Sequence, residues 1–278
     1  MNNFNTPAET VIANTKAAEI KASLPLGKMI LLGLLAGGFI AFGGAAGSTA
    51  AHGLADAGLV RFVSGIVFPL GLIMIVLCGG ELFTGNCLMG MAALNKQIKW
   101  SRLVRNLVVV WPANFVGAFV IALCVFMAGN FDIGGGALGA FTIKVAVGKA
   151  ALGIPARIFS GVVCNILVCM GVLLAGAAKD AIGKIFGAFF SVFTFIIIGA
   201  EHCVANMYYF PAALLAKTNP LYVAKAQELF GLSAAQIEGL NIGSMFNNLL
   251  FVTLGNIIGG GILVGVTYYL IYVRKKEN

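Results

Sequence analysis

"GGELFTGN", residues 79–86, and "GAEHCVAN", residues 199–206, follow one pattern: glycine, a small residue, glutamate, three residues, a small residue, asparagine. Each interrupts an apolar stretch, 59–94 in one case and 182–216 in the other, that is too long for one membrane crossing of about 20 residues. A second echo pairs "NFVGA" (114–118) with "NIIGG" (256–260). The chain therefore divides into two halves of three spans. With an odd number of spans per half, the halves must lie in opposite orientations across the membrane, with their broken helices meeting near its midplane.

The rest of the chain supports a membrane reading. Of its 278 residues 60% are hydrophobic and 10% charged, and the mean hydropathy is +0.97, far from the roughly one-quarter charged composition of a soluble domain. The apolar stretches are helix-length, at 26–52, 59–94, 103–129, 150–178, 182–216 and 246–273. Barrel strands would be segments of about ten residues with alternating polarity. The fold class is thus all-α, six transmembrane helices in two inverted three-helix repeats, with the second and fifth helices broken. Gly33xxxGly37, Gly43xxxGly47, Gly255xxxGly259 and Gly261xxxGly265 suit close helix packing in lipid.

The formal charge of +8 is distributed between the spans and forms no basic stripe with aromatics, which excludes a nucleic-acid surface. Twelve Lys and Arg fall on the side of the two termini and six on the other, so both termini are expected in the cytoplasm of a cell whose inner membrane holds the protein. The first 25 residues lack an apolar core and predict no cleaved signal peptide. Instead Thr6-Pro7-Ala8-Glu9 is a capping box, and Val11, Ile12, Ile20 and Leu24 are spaced along a short amphipathic helix, expected to lie on the membrane surface. Residues 1–25 are this segment, 26–273 the pore domain and 274–278 a basic tail; residues 217–243 form an outward-facing connection.

Backbone that leaves helical hydrogen bonding at membrane depth survives only inside protein or beside a water-lined cavity, so both breaks face a pathway. Half-helices starting near Thr84 and Val204 would point their positive ends at its centre, which favours an anion. Glu81 and Glu201, with Asn86 and Asn206, are read as the scaffold of the breaks, the carboxylates accepting hydrogen bonds from loop N–H groups. His202 has Leu82 at its twin position. The repeat does not require it, which makes it the candidate to meet the substrate. Thr84 can offer a hydroxyl there or cap the half-helix beginning at Gly85. Asn165, the strongly polar side chain in the middle of the fourth span, either bonds helix to helix or lines the pore. Lys149 and Arg157, at the outer edge of that span, are read as snorkelling cations, with Lys149 placed to draw anions to the mouth.

"LCGGELFTG" (77–85), "GVVCNILVC" (161–169), "GAEHCVANM" and "GNIIGGG" together resemble the formate–nitrite transporter family over essentially the whole chain. The chain departs from the second signature just after it, at Met170-Gly171. The resemblance implies an aquaporin-like arrangement, a homopentamer with one pore per protomer, and small monovalent anions of weak acids as substrates: formate, nitrite, lactate or hydrosulfide. The chain looks closer to the hydrosulfide branch. The resemblance also implies that His202 is the central histidine and that Thr84 and Lys149 are pathway residues. Phe68, Leu72 and Phe195 would form an outer constriction, and Leu82, Phe83 and Val168 an inner one. Lys16 would lie near the cytoplasmic mouth.

A neutral-solute pore is the competing transport reading, but the chain has neither paired Asn-Pro-Ala breaks nor a second histidine near His202. A membrane enzyme or metal protein built on Glu201, His202 and Cys203 is the rival from another class. Three adjacent residues cannot all point at one metal, and no CxxC pair completes a site. No enzyme activity, cofactor or metal is therefore expected.

Overall fold

The computed structural model describes residues 3–274. Helix α1 (Pro7–Ser23) lies across one end of a bundle. The first half then runs α2 (Leu26–Ala51), α3 (Ala57–Cys78), α4 (Phe83–Leu94) and α5 (Trp100–Met127). The second half opens with α6 (Ala137–Ala151), followed by α7 (Ile154–Ala177), α8 (Ala181–Ile197), α9 (Cys203–Ala216) and the last span α12 (Ile242–Val273). Two short helices, α10 (Pro220–Phe230) and α11 (Ala234–Gly239), occupy the connection before α12. The chain is thus all-α, with six spans in two inverted repeats, the second (α3–α4) and fifth (α8–α9) broken. The second half of each broken span completes the crossing to the end where its half began: α4 packs against α1, and α9 against α6.

The fourth span starts at Ile154 rather than 150, and the residues before it form the separate helix α6. Pro155 explains the boundary, because a proline suits the first turn of a helix and biases the residue before it away from helical backbone. Helix α6 is the counterpart of α1, each entering its half from one end of the bundle.

The amphipathic segment has its capping box, with Thr6 and Glu9 satisfying each other's backbone N–H groups, and of its four apolar residues Val11 and Leu24 are buried while Ile12 and Ile20 are not. Thr10, Val11, Thr15, Ala18 and Ala22 are buried against the bundle, while Ile12 and Ile20 point outward. The helix is held as part of the fold. The Thr6 N–H and hydroxyl keep the Glu9 carboxyl below its ordinary pKa. Of the basic tail, residues 275–278 lie outside the described residues.

Close packing across the halves repeats as well. A Cβ on Gly117 would collide with the carbonyl oxygen of Leu34, and one on Gly259 with that of Val162. Gly33 and Gly161 face Ala113 and Gly255 in the same way. Small residues here let helix backbones touch, which is how helices gain packing energy in lipid.

Candidate functional site

Both breaks begin at a glycine in left-handed backbone, Gly79 with φ 90° and Gly199 with φ 72°. Such backbone is costly for any residue with a Cβ. Beyond each glycine the chain is extended for a few residues before the inner half-helix starts at Phe83 or Cys203. The freed backbone groups need partners, and two twin asparagines supply them. Asn114 on α5 accepts from the Phe83 N–H at 3.0 Å and donates to the carbonyls of Gly33 and Glu81. Asn256 on α12 accepts from the Cys203 N–H at 2.9 Å and donates to those of Gly161 and Glu201. Each asparagine ties the break to two neighbouring spans, a complete use of its amide.

The carboxylates turn away from loop N–H groups, contrary to expectation, because the asparagines already serve the backbone. Glu81 accepts from Lys21 Nζ at 3.0 Å, from Asn86 Nδ2 at 2.7 Å and from Asn106 Nδ2 at 3.3 Å. Glu201 accepts from Lys149 Nζ at 2.7 Å and Asn206 Nδ2 at 2.7 Å, and Asn206 Nδ2 also reaches Asn248 Oδ1. These are the two ion pairs among the described residues. Each buried carboxylate is neutralised by a lysine in the last turn of the helix that opens its half, α1 or α6. Lys149 therefore does not snorkel; it is inside, 17% exposed at the side chain, over the Tyr209 ring at 5.3 Å. Arg157 does not snorkel either. It is buried and donates to Asn247 Oδ1 and to the Ala150 carbonyl, holding the end of α6.

At the centre the twins diverge. His202 caps α9, its Nδ1 accepting the Ala205 N–H at 3.1 Å. A neutral imidazole accepting at Nδ1 carries its hydrogen on Nε2, so Nε2–H donates to Thr84 Oγ1, 2.8 Å away. The Thr84 hydroxyl is then left with a hydrogen to offer elsewhere. Thr84 does not cap its half-helix, as that helix starts one residue earlier, at Phe83, with its first N–H already taken by Asn114. Asn165 bonds helix to helix, donating to the Thr84 carbonyl at 3.2 Å and the Asn256 carbonyl at 2.6 Å. Both its N–H groups are used, and it fixes where Thr84 stands.

Aromatic side chains pack beside this pair. Phe68 and Phe195 meet edge to face at 5.8 Å, and the Phe195 ring lies 5.8 Å from His202. Leu82, Phe83 and Val168 are all buried. Leu72, grouped by the resemblance with the outer ring, also borders a cavity of about 170 Å³ on the α1 side, together with Leu82, Asn86 and Lys21. Lys21 is the cation there. Lys16 is exposed on α1 and outside that lining. Among the described residues no cluster of three metal-ligating side chains occurs.

Two broken helices meeting at one buried polar pair, in a chain with five helices long and apolar enough to cross a membrane and a sixth span in two shorter pieces, define a multi-pass membrane transport protein. Residues 8–270 match the sequence profile described as "Formate/nitrite transporter". The chain belongs to that family, whose members are transporters and channels rather than enzymes. It is 39% identical to a "Probable formate transporter" of Methanothermobacter thermautotrophicus, over 98% of both chains. It is 32% identical to "Formate channel FocA" of Escherichia coli K12, over 98% of this chain and 96% of that one. A solved "Pentameric formate channel with formate bound" superimposes with a TM-score of 0.78 at 32% identity, covering 90% of this chain and 98% of the other.

Lys21, Asn106, Asn114, Asn248 and Asn256 are the residues the sequence reading did not place in the site. The echo at 114–118 and 256–260 held the signal for two of them.

Proposed function

We propose that this chain forms a homopentameric channel for small monovalent anions of weak acids, one pathway per protomer, with formate the leading substrate. The observation that carries the reading is the Thr84–His202 pair, 2.8 Å apart where the two half-helices begin. The formate names of the relatives and the pentameric neighbour support it. Nitrite and hydrosulfide share formate's charge and size, and the same site would serve them.

A bare anion at rings of Phe, Leu and Val loses hydration that these side chains cannot replace, at a cost of several kcal/mol. The neutral acid crosses such rings far more cheaply. In this mechanism the positive ends of the two half-helices favour an anion at the centre, Lys149 and Lys21 serve by neutralising the carboxylates beside the pathway, the Thr84 hydroxyl donates to the ion, and the proton arrives there through His202 Nε2 or water. A neutral ring that gave up its Nε2 hydrogen alone would be left an imidazolate, so delivery through His202 requires Nδ1 to release the Ala205 N–H and take a proton from water in the same step. The outer ring is Phe68, Leu72 and Phe195, the inner ring Leu82, Phe83 and Val168. The charge bias places the α1 side and both termini in the cytoplasm and the pore in the inner membrane. Lys16 belongs to the cytoplasmic rim.

Flux of formate, nitrite and hydrosulfide into proteoliposomes at two pH values tests this reading. Formate flux several-fold above empty vesicles, rising as the pH falls and the neutral acid becomes available, is the expected result. Passage of water or ammonia without any of the three anions would overturn it.

A further inference from the structure

Between α5 and α12 runs an apolar groove that the transport pathway does not use. Its deep part, about 530 Å³, is walled by Val104, Val108, Trp111, Leu250, Thr253 and, at the back, Phe83. Leu107 and Ile257 are shared with a second apolar cavity of about 180 Å³, which continues the groove to Leu94 and Trp100. The inner end is closed: Trp111 Nε1 donates to Thr253 Oγ1 at 3.0 Å, and the Trp111 ring stacks on Phe115, which stacks on Phe246. From Trp100 to Trp111 is eleven residues of one helix, about 16 Å at 1.5 Å per residue. That is about half of a hydrocarbon core of about 30 Å, the depth of one leaflet.

The open end is basic. The loop 95–99 joins Leu94 to Trp100, both of which line the groove, and it carries Lys96 and Lys99, both exposed. Neither lysine is in an ion pair among the described residues. Glu19 accepts from Gln97 Nε2 at 2.8 Å and keeps its charge, so the loop sets two positive charges against one negative. Lys96 is also the one non-glycine described residue with positive φ, at 58°. The loop holds that disfavoured backbone through bonds from the Lys96 and Gln97 N–H groups to the Ala93 and Ala92 carbonyls. These two bonds are the left-handed cap that ends α4, which fixes the direction in which the loop leaves the helix. Trp100, half exposed beside it, suits the headgroup level, where amphipathic rings settle.

We propose that this groove holds one acyl chain of an anionic phospholipid whose phosphate sits on Lys96 and Lys99. Two lysines at a mouth one leaflet above a blind apolar end select a negative headgroup and a single tail. The tail's end packs on Phe83, so an occupied groove braces one wall of the inner apolar ring from the membrane side.

Native mass spectrometry of the purified oligomer, exchanged into micelles doped with phosphatidylglycerol or phosphatidylcholine, reads this without reference to what the pathway carries. Phosphatidylglycerol is expected to be retained several-fold more than phosphatidylcholine. The exposed double change Lys96→Ala/Lys99→Ala removes the preference, and Val108→Trp, which fills the groove, lowers retention of both lipids. Equal retention of the two lipids, or a preference that survives both variants, overturns the proposal. A Val108→Trp chain that folds but separates into monomers also overturns it, since a neighbouring copy would then occupy the groove.

Discussion

At the first break Glu81 pairs with Lys21 and Asn86, and at the second Glu201 pairs with Lys149 and Asn206. Asn114 and Asn256 hold the two backbones by identical sets of bonds. Between these matched frames stand unmatched fillings: Leu82 and Thr84 on one side, His202 and Val204 on the other. Matching parts serve the break as such, because any helix opened at membrane depth must satisfy the same groups. Non-matching parts answer to something the break does not need, and they meet each other in the Thr84–His202 bond. A smaller difference lies in the lysines. Lys21 reaches both Glu81 and Asn86 Oδ1, whereas Lys149 leaves Asn206 Oδ1 without a partner and lies over Tyr209 instead.

The largest expected effects break the frame. Asn256→Leu and Asn114→Leu each remove three buried bonds to backbone and strand their partners, so each should cost about 3–5 kcal/mol. Thermal denaturation of the purified oligomer should show both destabilised to a similar degree. A large loss in one and none in the other would end the equivalence of the halves.

Next come the lysines. Lys149→Met leaves Glu201 buried without a counter-charge, a cost of about 3–5 kcal/mol. Lys21→Met should cost less, about 1–3 kcal/mol, because Lys21 is 30% exposed against 17% for Lys149 and water can reach the gap. The same denaturation series checks the order, and a costlier Lys21 would reverse it. Smaller again are Gly79→Ala and Gly199→Ala, each forcing a Cβ into left-handed backbone at about 1–2 kcal/mol. Gly79→Ala should be the worse of the two, since φ 90° with ψ 140° lies outside the left-handed helical well and is open essentially to glycine, while the Cβ on Gly199 would meet only the far end of the Arg61 side chain at 3.1 Å.

Glu81, Glu201, Asn86 and Asn206 were legible in the sequence because the breaks keep one register, 120 residues apart. Asn114 and Asn256 keep another, 142 apart, and were visible only as an echo. Lys21 and Lys149 keep a third, 128 apart, along with Gly33 and Gly161. Connections of unequal length shift the offset from one element to the next, so no single alignment of the halves finds all the pairs. That is why Lys149 was placed at the edge of a span, with α6 unseen, and why its counterpart Lys21 was not placed in the site. The role of Asn165 was also hidden, since its twin is Gly37 and its partners are backbone carbonyls of distant spans.

Making the fillings match while leaving the frame alone tests the central claim most directly. The double variant Thr84→Val/His202→Leu gives each break the residue of its twin and touches neither carboxylate, lysine nor keystone asparagine. Formate flux in proteoliposomes should fall by at least tenfold while the variant still purifies as the wild-type oligomer. Flux at the wild-type rate from that oligomer would contradict the account.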